Sequence, residues 1–332
     1  MRIALSTVGV SDTVGIGKAV ALSLLRAEGI SLVAIIDSPL GVNLDGFEGI
    51  YLSDGEFREK NSFSRTSKDC FNEQSFDVII PCGDYEVVDA VSNKMLLDEC
   101  SLSYLLPSEE ALGMIHKTEL ANAAKKLGIN VPITTCCEDF PTSYPFLLKG
   151  PIGGVLVVNS EEELPVMLDR AKGMRWNPIL TQEVVVGTEY SIAGIADRKH
   201  DLRATCQIRK LGLDQQGNTW MGTTIYREDL EEIALRFVDK LSWEGPFELE
   251  FIECEKTGKL VLLEVNPRFP AWCSGISDVN LPLMLLDILN GHNFPYVHAQ
   301  HGKAFCRQIT TTSFPLSKFA KLLSRGVCTS EN

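Results

Sequence analysis

The chain lacks any apolar run near the ~20 residues that a membrane-crossing helix needs, so no helical membrane span is expected. It also lacks a secretory leader. Met1-Arg2-Ile3-Ala4-Leu5 has one basic residue and passes straight into a strand-like pattern, which predicts a cytoplasmic protein. Paired cysteines are missing too. The 10 cysteines are scattered, as at Cys70, Cys82, Cys100 and Cys206, with one adjacent pair, Cys136-Cys137. None has the C-x-x-C spacing of a zinc or redox site, so most are expected to be small buried hydrophobes. Positive charge is scarce: 31 Lys and Arg face 44 Asp and Glu, a net charge of -13. That argues against a nucleic-acid surface, which needs a basic face. It leaves room for a small phosphate ligand, because a few placed cations dominate a pocket locally. Internal repeats and low-complexity tracts are absent.

What is present suits a globular protein: 45% hydrophobic and 23% charged residues. At 332 residues the chain is too long for one ordinary core and predicts two or three packed units. The first hundred residues alternate as in a parallel α/β unit. Strands are expected at 3–8, 32–36 and 77–81, with a turn from Gly9 to Gly17 and helices at 18–27 and 86–99; the segment 53–73 shows no clear pattern. Tyr104 to Leu106 closes this unit. Pro107-Ser108-Glu109-Glu110 then reads as a linker running into a helix cap. An alanine-rich helix at 118–127 follows. Short strands come next at 131–136, 146–149 and 155–159, with a helix at 161–172. From Ile179 the pattern becomes antiparallel, with strands at 179–186, 190–196, 202–209, 220–225, 247–254 and 260–265 around a helix at 227–241. Turns such as Gln216-Gly217-Asn218 and Thr257-Gly258-Lys259 join them.

The strongest chemical signal lies late in the chain. Phe247-Glu248-Leu249-Glu250-Phe251 and Leu263-Glu264-Val265-Asn266-Pro267-Arg268 are two arms of a hairpin, so Glu250 and Glu264 can lie side by side. Glu264 and Asn266 are two apart and share a face. Two carboxylates and an amide carbonyl make a hard oxygen cluster suited to Mg²⁺ on triphosphate oxygens, and Arg268 offers a fork for phosphate or carboxylate. Glu248 or Glu250 taken alone is better read as a solvated hairpin carboxylate. The whole cluster is not, because polar groups interrupting an apolar strand are costly without a partner.

Leu262-Leu263-Glu264-Val265-Asn266-Pro267-Arg268 resembles the E-x-N-P-R signature of ATP-grasp enzymes, especially the carbamoyl-phosphate-synthetase-like branch of carboxylate–amine ligases. The resemblance implies metal roles for Glu250, Glu264 and Asn266 and a phosphate role for Arg268. It extends backwards. His116-Lys117-Thr118 with Leu127-Gly128-Ile129-Asn130-Val131-Pro132 resembles the family's entry segment, which makes Lys117 a nucleotide contact. Tyr144-Pro145-Phe146-Leu147-Leu148-Lys149 resembles the strand ending in an ATP-binding lysine. Thr181-Gln182-Glu183-Val184-Val185-Val186-Gly187-Thr188-Glu189 resembles the hinge strand, where Gln182, Glu183 and the backbone near Val184 and Val186 meet the base and Glu189 a ribose hydroxyl. Arg209-Lys210 matches a basic pair assigned near the γ-phosphate.

The sequence departs from the family at Lys149-Gly150-Pro151-Ile152-Gly153-Gly154-Val155. There the loop is shorter and lacks serine, leaving Gly153 and Gly154 to cradle a phosphate. Trp272, after Arg268, replaces a small residue and reads as a pocket wall or as core.

The fold implied is an N-terminal parallel α/β domain (1–106), a small lid (107–180) and a C-terminal domain (181–332), together a two-lobed ATP-grasp fold of mixed α/β and α+β class. The activity implied is amide or peptide bond formation through an acyl phosphate, with ATP and Mg²⁺ (or Mn²⁺), a small carboxylate, an amine acceptor, and a monomer or homodimer. Three alternatives stand beside it. A complete carbamoyl phosphate synthetase needs two tandem halves; the others are a ligase acting on ribosomal or carrier-bound peptides, and a nucleotide-binding subunit with little catalysis. A dehydrogenase reading of Thr7-Val8-Gly9…Gly15-Ile16-Gly17 fails on glycine spacing and on the absence of Tyr-x-x-x-Lys. Asp37 and Asp84 sit where open α/β sheets bind ligands, though a cap or turn role is the simpler reading.

Overall fold

The structure, a computed structural model, describes residues 1–8, 15–39, 46–136, 141, 143–214, 217–276, 278–308 and 313–329. Most of the turn from Gly9, together with Cys137 and Gln216, lies outside them.

The N-terminal unit runs β1 (Arg2–Leu5), α1 (Ile16–Leu24), β2 (Ser31–Ile36), β3 (Gly49–Leu52), α2 (Ser62–Glu73), β4 (Val78–Ile80), α3 (Asp84–Ser92) and α4 (Lys94–Glu99). Its strands are parallel, with β1 between β2 and β4. They are buried on both faces, as their continuous apolar runs require. The expected helix at 86–99 is two helices, broken at Asn93. The unpatterned stretch contains α2, whose buried face is built from Ser62, Ser64, Thr66 and Ser67 beside Phe63 and Cys70. A small-polar face escapes a search for apolar periodicity.

Helices α5 (Glu109–Met114) and α6 (Leu120–Leu127) follow. Ser108 caps α5, its side chain accepting from the Ala111 N–H. The lid comprises β5 (Thr134–Cys136), β6 (Phe146–Lys149), β7 (Val155–Val158), α7 (Leu164–Gly173) and β8 (Leu180–Glu183), its sheet ordered β5-β8-β6-β7. The central sheet is built from β9 (Gly187–Ala196), β10 (Leu202–Leu213), β11 (Thr219–Ile225), β12 (Gly245–Cys254) and β13 (Leu260–Asn266), with α8 (Glu228–Leu241) inserted before β12. The chain ends with α9 (Leu281–Leu289), β14 (Val297–His298), β15 (Ala304–Cys306), α10 (Leu316–Arg325) and β16 (Val327–Thr329). The central sheet is ordered β13-β12-β9-β10-β11-β15, with β14 beside β10.

Three differences from the sequence reading concern boundaries. The segment 179–186 was expected in the central sheet, but β8 pairs with β5 and β6 in the lid. Ala111, Ile115, Leu120 and Leu127 pack with α8 and the central sheet, so α5 and α6 do not belong to the lid core. The strand β16 returns to the first sheet, antiparallel to β3.

Packing sets the faces. Phe247, Leu249 and Phe251 of β12 are buried against α8, which sends Glu248 and Glu250 to the opposite face. That opposite face, through Ala193, Ile195, Cys206 and Ile208, shares one core with the N-terminal unit. In the lid, Phe146, Leu148, Leu156 and Val158 form a core with Ala171 of α7. The alternate residues Leu147, Lys149, Val155 and Val157 therefore face the other way.

Candidate active site between the lid and the central sheet

The pairing of β12 with β13 puts Glu250 opposite Glu264 and Glu248 opposite Asn266, as the hairpin reading required. A register shift follows Glu250, so that Phe251 is opposite Leu262. The extra residue, Leu263, lines the cleft beneath the lid, while Leu262 stays in the core. The bulge thus gives the cleft an apolar floor next to its acidic cluster.

Every carboxylate of this cluster has a cation. The Lys117 Nζ lies 3.1 Å from Glu264 Oε1. Lys210 pairs with Glu250 through a short contact and lies 3.5 Å from Glu189. Arg268 reaches Glu248 at 3.1 Å and Asp84 at 3.2 Å. Burial alone would push Glu264 up, but Lys117 and Lys149 outweigh it and hold the carboxyl at about 2. Burial likewise opposes the charge of Lys210, yet Glu250 and Glu248 raise its pKa on balance.

Lys149 is the exception. It is 9% exposed, carries no hydrogen bond or ion pair among the described residues, and has its pKa lowered by burial despite the pull of Glu264. Glu264, whose charge it feels, is already paired with Lys117, so this buried cation is only partly compensated, and it faces the same cleft as Lys117 and Gln182.

Glu248, which sequence reasoning set aside, lies at the centre. It is 4% exposed and accepts from four donors. Ser191 Oγ and Trp272 Nε1 bond to Oε1 at 2.8 and 2.7 Å, and Asn266 Nδ2 and Arg268 to Oε2 at 3.1 Å each. Burial and the neighbouring Glu250 raise its pKa, and Arg268 offsets them. The signal was there: Glu248 and Asn266 share a face for the same period-two reason as Glu250 and Glu264. Trp272 is 2% exposed and stacks near Phe305, centroids 6.3 Å apart, so it is core and hydrogen-bond donor together. Arg268 does not offer an open fork. Its Nε and one terminal nitrogen are turned to Asp84 and Glu248, which leaves the other terminal nitrogen for a ligand.

Asp84 departs from the simpler reading. It opens α3 without capping it and meets Arg268, bringing the N-terminal unit into the site. Asp37 is a turn residue, accepting the Phe57 N–H at 3.1 Å.

Two proposed site residues face away. Arg209 is exposed and lies next to Lys210 on one strand, so alternation turns it to the opposite face, beside Tyr190 and Thr223. Glu183 alternates with Gln182 in the same manner, and its carboxylate accepts the Ile133 N–H at 2.9 Å. Its side chain is thereby turned from the face that carries Gln182. Gln182 stays on the cleft face, donating to Thr134 at 2.9 Å. The hinge continues as exposed Val184 and Val186. The Val186 carbonyl accepts from Glu255, whereas the Val184 carbonyl and the Val186 N–H have no main-chain partner among the described residues. With half-exposed Val155 and Val157, these residues give the cleft an apolar wall with a free acceptor–donor edge. Sequence reasoning also missed Arg307. One of its terminal nitrogens is buried with no hydrogen-bond partner among the described residues, and its guanidinium lies over Trp220, 5.9 Å from the ring centroid.

The donor set fits a magnesium ion. Asn266 gives its N–H groups to Glu248 and Glu250, which leaves its carbonyl oxygen as a third oxygen donor with the facing carboxylates Glu250 and Glu264. No three His, Cys, Asp or Glu residues form a ready-made cage among the described residues. Mg²⁺ does not need one, since it takes one or two carboxylates plus phosphate oxygens.

A cleft between a lid and a sheet, with cations, paired carboxylates and an apolar wall with a free hydrogen-bonding edge, defines a two-lobed nucleotide-binding protein. Residues 115–271 match the family model for the ATP-grasp domain, a span that runs from Ile115 to Ala271 and contains Lys117, Lys149, Gln182, Lys210, Glu248, Glu250, Glu264, Asn266 and Arg268. Residues 115–271 thus form an ATP-grasp domain. Similar solved structures include an L-amino acid ligase from Bacillus licheniformis, 15% identical with a TM-score of 0.64, covering 87% of this chain and 74% of that one. The biotin carboxylase domain of Hydrogenobacter thermophilus 2-oxoglutarate carboxylase, in complex with MgADP, ADP and bicarbonate, is 14% identical with a TM-score of 0.69, covering 91% and 73%. Staphylococcus aureus N5-carboxyaminoimidazole synthetase complexed with ADP is 14% identical with a TM-score of 0.65, covering 89% and 79%. At such identities the likeness is one of fold. No curated protein sequence matches the chain. No helix of the described residues is long and apolar enough to cross a membrane.

Proposed function

We propose that the chain is an ADP-forming carboxylate–amine ligase that makes an amide or peptide bond through an acyl phosphate. The observation that carries this is the buried, unpaired Lys149 facing the Glu250–Glu264–Asn266 cluster across the cleft. One side supplies a cation for phosphate, the other hard oxygens for a metal. The adenine would lie on Val155, Val157 and Leu263, its edge against the Val184 carbonyl and Val186 N–H. When bound at Glu250, Glu264 and Asn266, Mg²⁺ neutralises phosphate oxygens.

In the first step a substrate carboxylate oxygen bonds to the γ-phosphorus as the bond to the ADP oxygen breaks. In the second, an amine nitrogen bonds to the acyl carbon, phosphate leaves and the nitrogen loses a proton. Lys149, Lys210 and the free nitrogen of Arg268 stabilise the charge that develops on phosphate. Glu250 and Glu189 hold Lys210, and Glu248 and Asp84 hold Arg268, so neither cation reorganises during transfer.

Arg307 bears on the substrate. Its strand neighbour Phe305 pairs with Gly222, which also pairs with Lys210, so Arg307 extends the active face of the sheet. A half-buried guanidinium over an indole, with one terminal nitrogen unbonded among the described residues, suits a carboxylate and favours an amino acid over a simple amine. The test is ADP release with Mg²⁺-ATP over pairs of amino acids, with amide product read by mass spectrometry. ATP binding without ADP release for any pair overturns the ligase reading. Arg307→Gln should raise KM for the amino acid at least tenfold with ATP affinity unchanged.

A further inference from the structure

We infer that Trp176 is a positioning residue for the phosphate-facing loop at residues 150–154. This rests on the nucleotide reading of the cleft and extends it to a side chain outside the cluster. The loop joins β6 to β7, and Lys149 and Val155 pair across its base. It is short, with Gly153 and Gly154 at φ +63° and +77°, a left-handed conformation open to glycine. What holds so short a glycine loop in one shape is not its own side chains.

Trp176 does that. A β-carbon on Gly150 would lie 2.8 Å from the indole Nε1, and one on Gly154 would overlap the six-membered ring of the same indole. Both ends of the loop therefore lie directly on one rigid side chain, at a separation only glycine allows. The approach is built from below. Arg175 takes φ +59°, turning the chain back after α7, and the Trp176 N–H donates to the Ala171 carbonyl at 3.2 Å. Trp176 is only half buried and packs at the margin of the lid core, so core filling does not account for the placement of a large aromatic under a glycine loop. Resting on it, the loop keeps its remaining main-chain groups on the side of Lys149, which ends the adjoining strand. Indole stiffness takes over the role of loop length: the loop is ordered before phosphate arrives, which lowers the conformational cost of closing on it.

The consequence is selective. Losing Trp176 should leave the base and ribose contacts alone and weaken binding in proportion to the phosphates present. Calorimetric titration with adenosine, ADP and the non-hydrolysable triphosphate AMP-PNP, each with Mg²⁺, separates the outcomes. For Trp176→Ala, adenosine affinity should change less than twofold and AMP-PNP affinity fall at least tenfold, with ADP between; Trp176→Phe should restore AMP-PNP affinity to within threefold. Equal loss for all three ligands, or loss for none, overturns the inference. Failure of the wild-type chain to bind AMP-PNP better than adenosine overturns the nucleotide reading itself. Should the alanine variant not fold, the fluorescence difference between wild type and Trp176→Phe keeps the question open to decision. The Trp176 contribution must change on adding AMP-PNP and not on adding adenosine, and an unchanged signal with both sinks the proposal.

Discussion

Glu264 and Asn266 are where a single side chain decides most. Glu264→Gln and Asn266→Ala should each lower Mg²⁺-ATP turnover at least a hundredfold while circular dichroism stays native. Turnover retained in both variants removes the metal assignment. Arg209→Ala is the complementary prediction: its side chain faces away from Lys210, so kcat and KM should stay within twofold. Glu86 yields a pH prediction. Buried behind the end of β4 and accepting from Thr7, it has its pKa raised to about 7, chiefly by burial and further by Asp37 and Asp84. A carboxyl raised in the folded state favours folding at low pH. That contribution is complete below about 4.5 and lost as pH rises to about 7. Glu86→Gln removes the dependence. The stability difference between variant and wild type should shift towards the variant by on the order of 2–3 kcal/mol between pH 4.5 and 8, measured by urea denaturation. A constant difference across that range refutes the placement.

At the scale of elements, strand alternation explains both what the sequence revealed and what it misdirected. The E-x-N pattern could be read because residues two apart on a strand share a face, and β13 kept Glu264 and Asn266 together. Arg209-Lys210 and Gln182-Glu183 were read as units from motif likeness, yet adjacent strand residues cannot share a face, and each pair splits. The bulge at Leu263 was beyond reach, because nothing in an apolar run marks which residue is the extra one. Helix α2 was missed because its inward face is hydroxyl-rich, and the elements after Trp272 carry no motif at all. One of those elements is nonetheless structural: Leu322 of α10 is 1% exposed within the core shared by the first sheet and the central sheet. Leu322→Ala should cost about 2–4 kcal/mol, checked by equilibrium denaturation. A loss below ~1 kcal/mol would show α10 to be an ornament.

The whole molecule is organised as two lobes about one cleft, with the N-terminal unit contributing Asp84 from behind. A lid that closes on the nucleotide predicts a regional response. With Mg²⁺ and AMP-PNP, amide hydrogen exchange should slow at residues 150–154 and 184–186 and stay unchanged in α2 and α10. Uniform slowing over the whole chain points instead to global stabilisation by ligand. The paired charges of the site have a second consequence at this scale. The acids Asp84, Glu189, Glu248, Glu250 and Glu264 are largely balanced by Lys117, Lys149, Lys210 and Arg268 before any ligand enters, so most of the net charge of -13 is carried elsewhere and need not repel an incoming triphosphate from the cleft.

The strand β16 lies against β3, where Val327 pairs with Tyr51. During synthesis the first sheet therefore emerges early, yet its outer edge stays open until β16 has been made. Contacts this distant in sequence form late and slowly, and an unpaired edge strand invites association with other chains. Ribosome-bound chains of this protein should therefore depend on chaperones for longer than their early parallel sheet alone would suggest, with the emergence of β16 as the event that seals the first sheet.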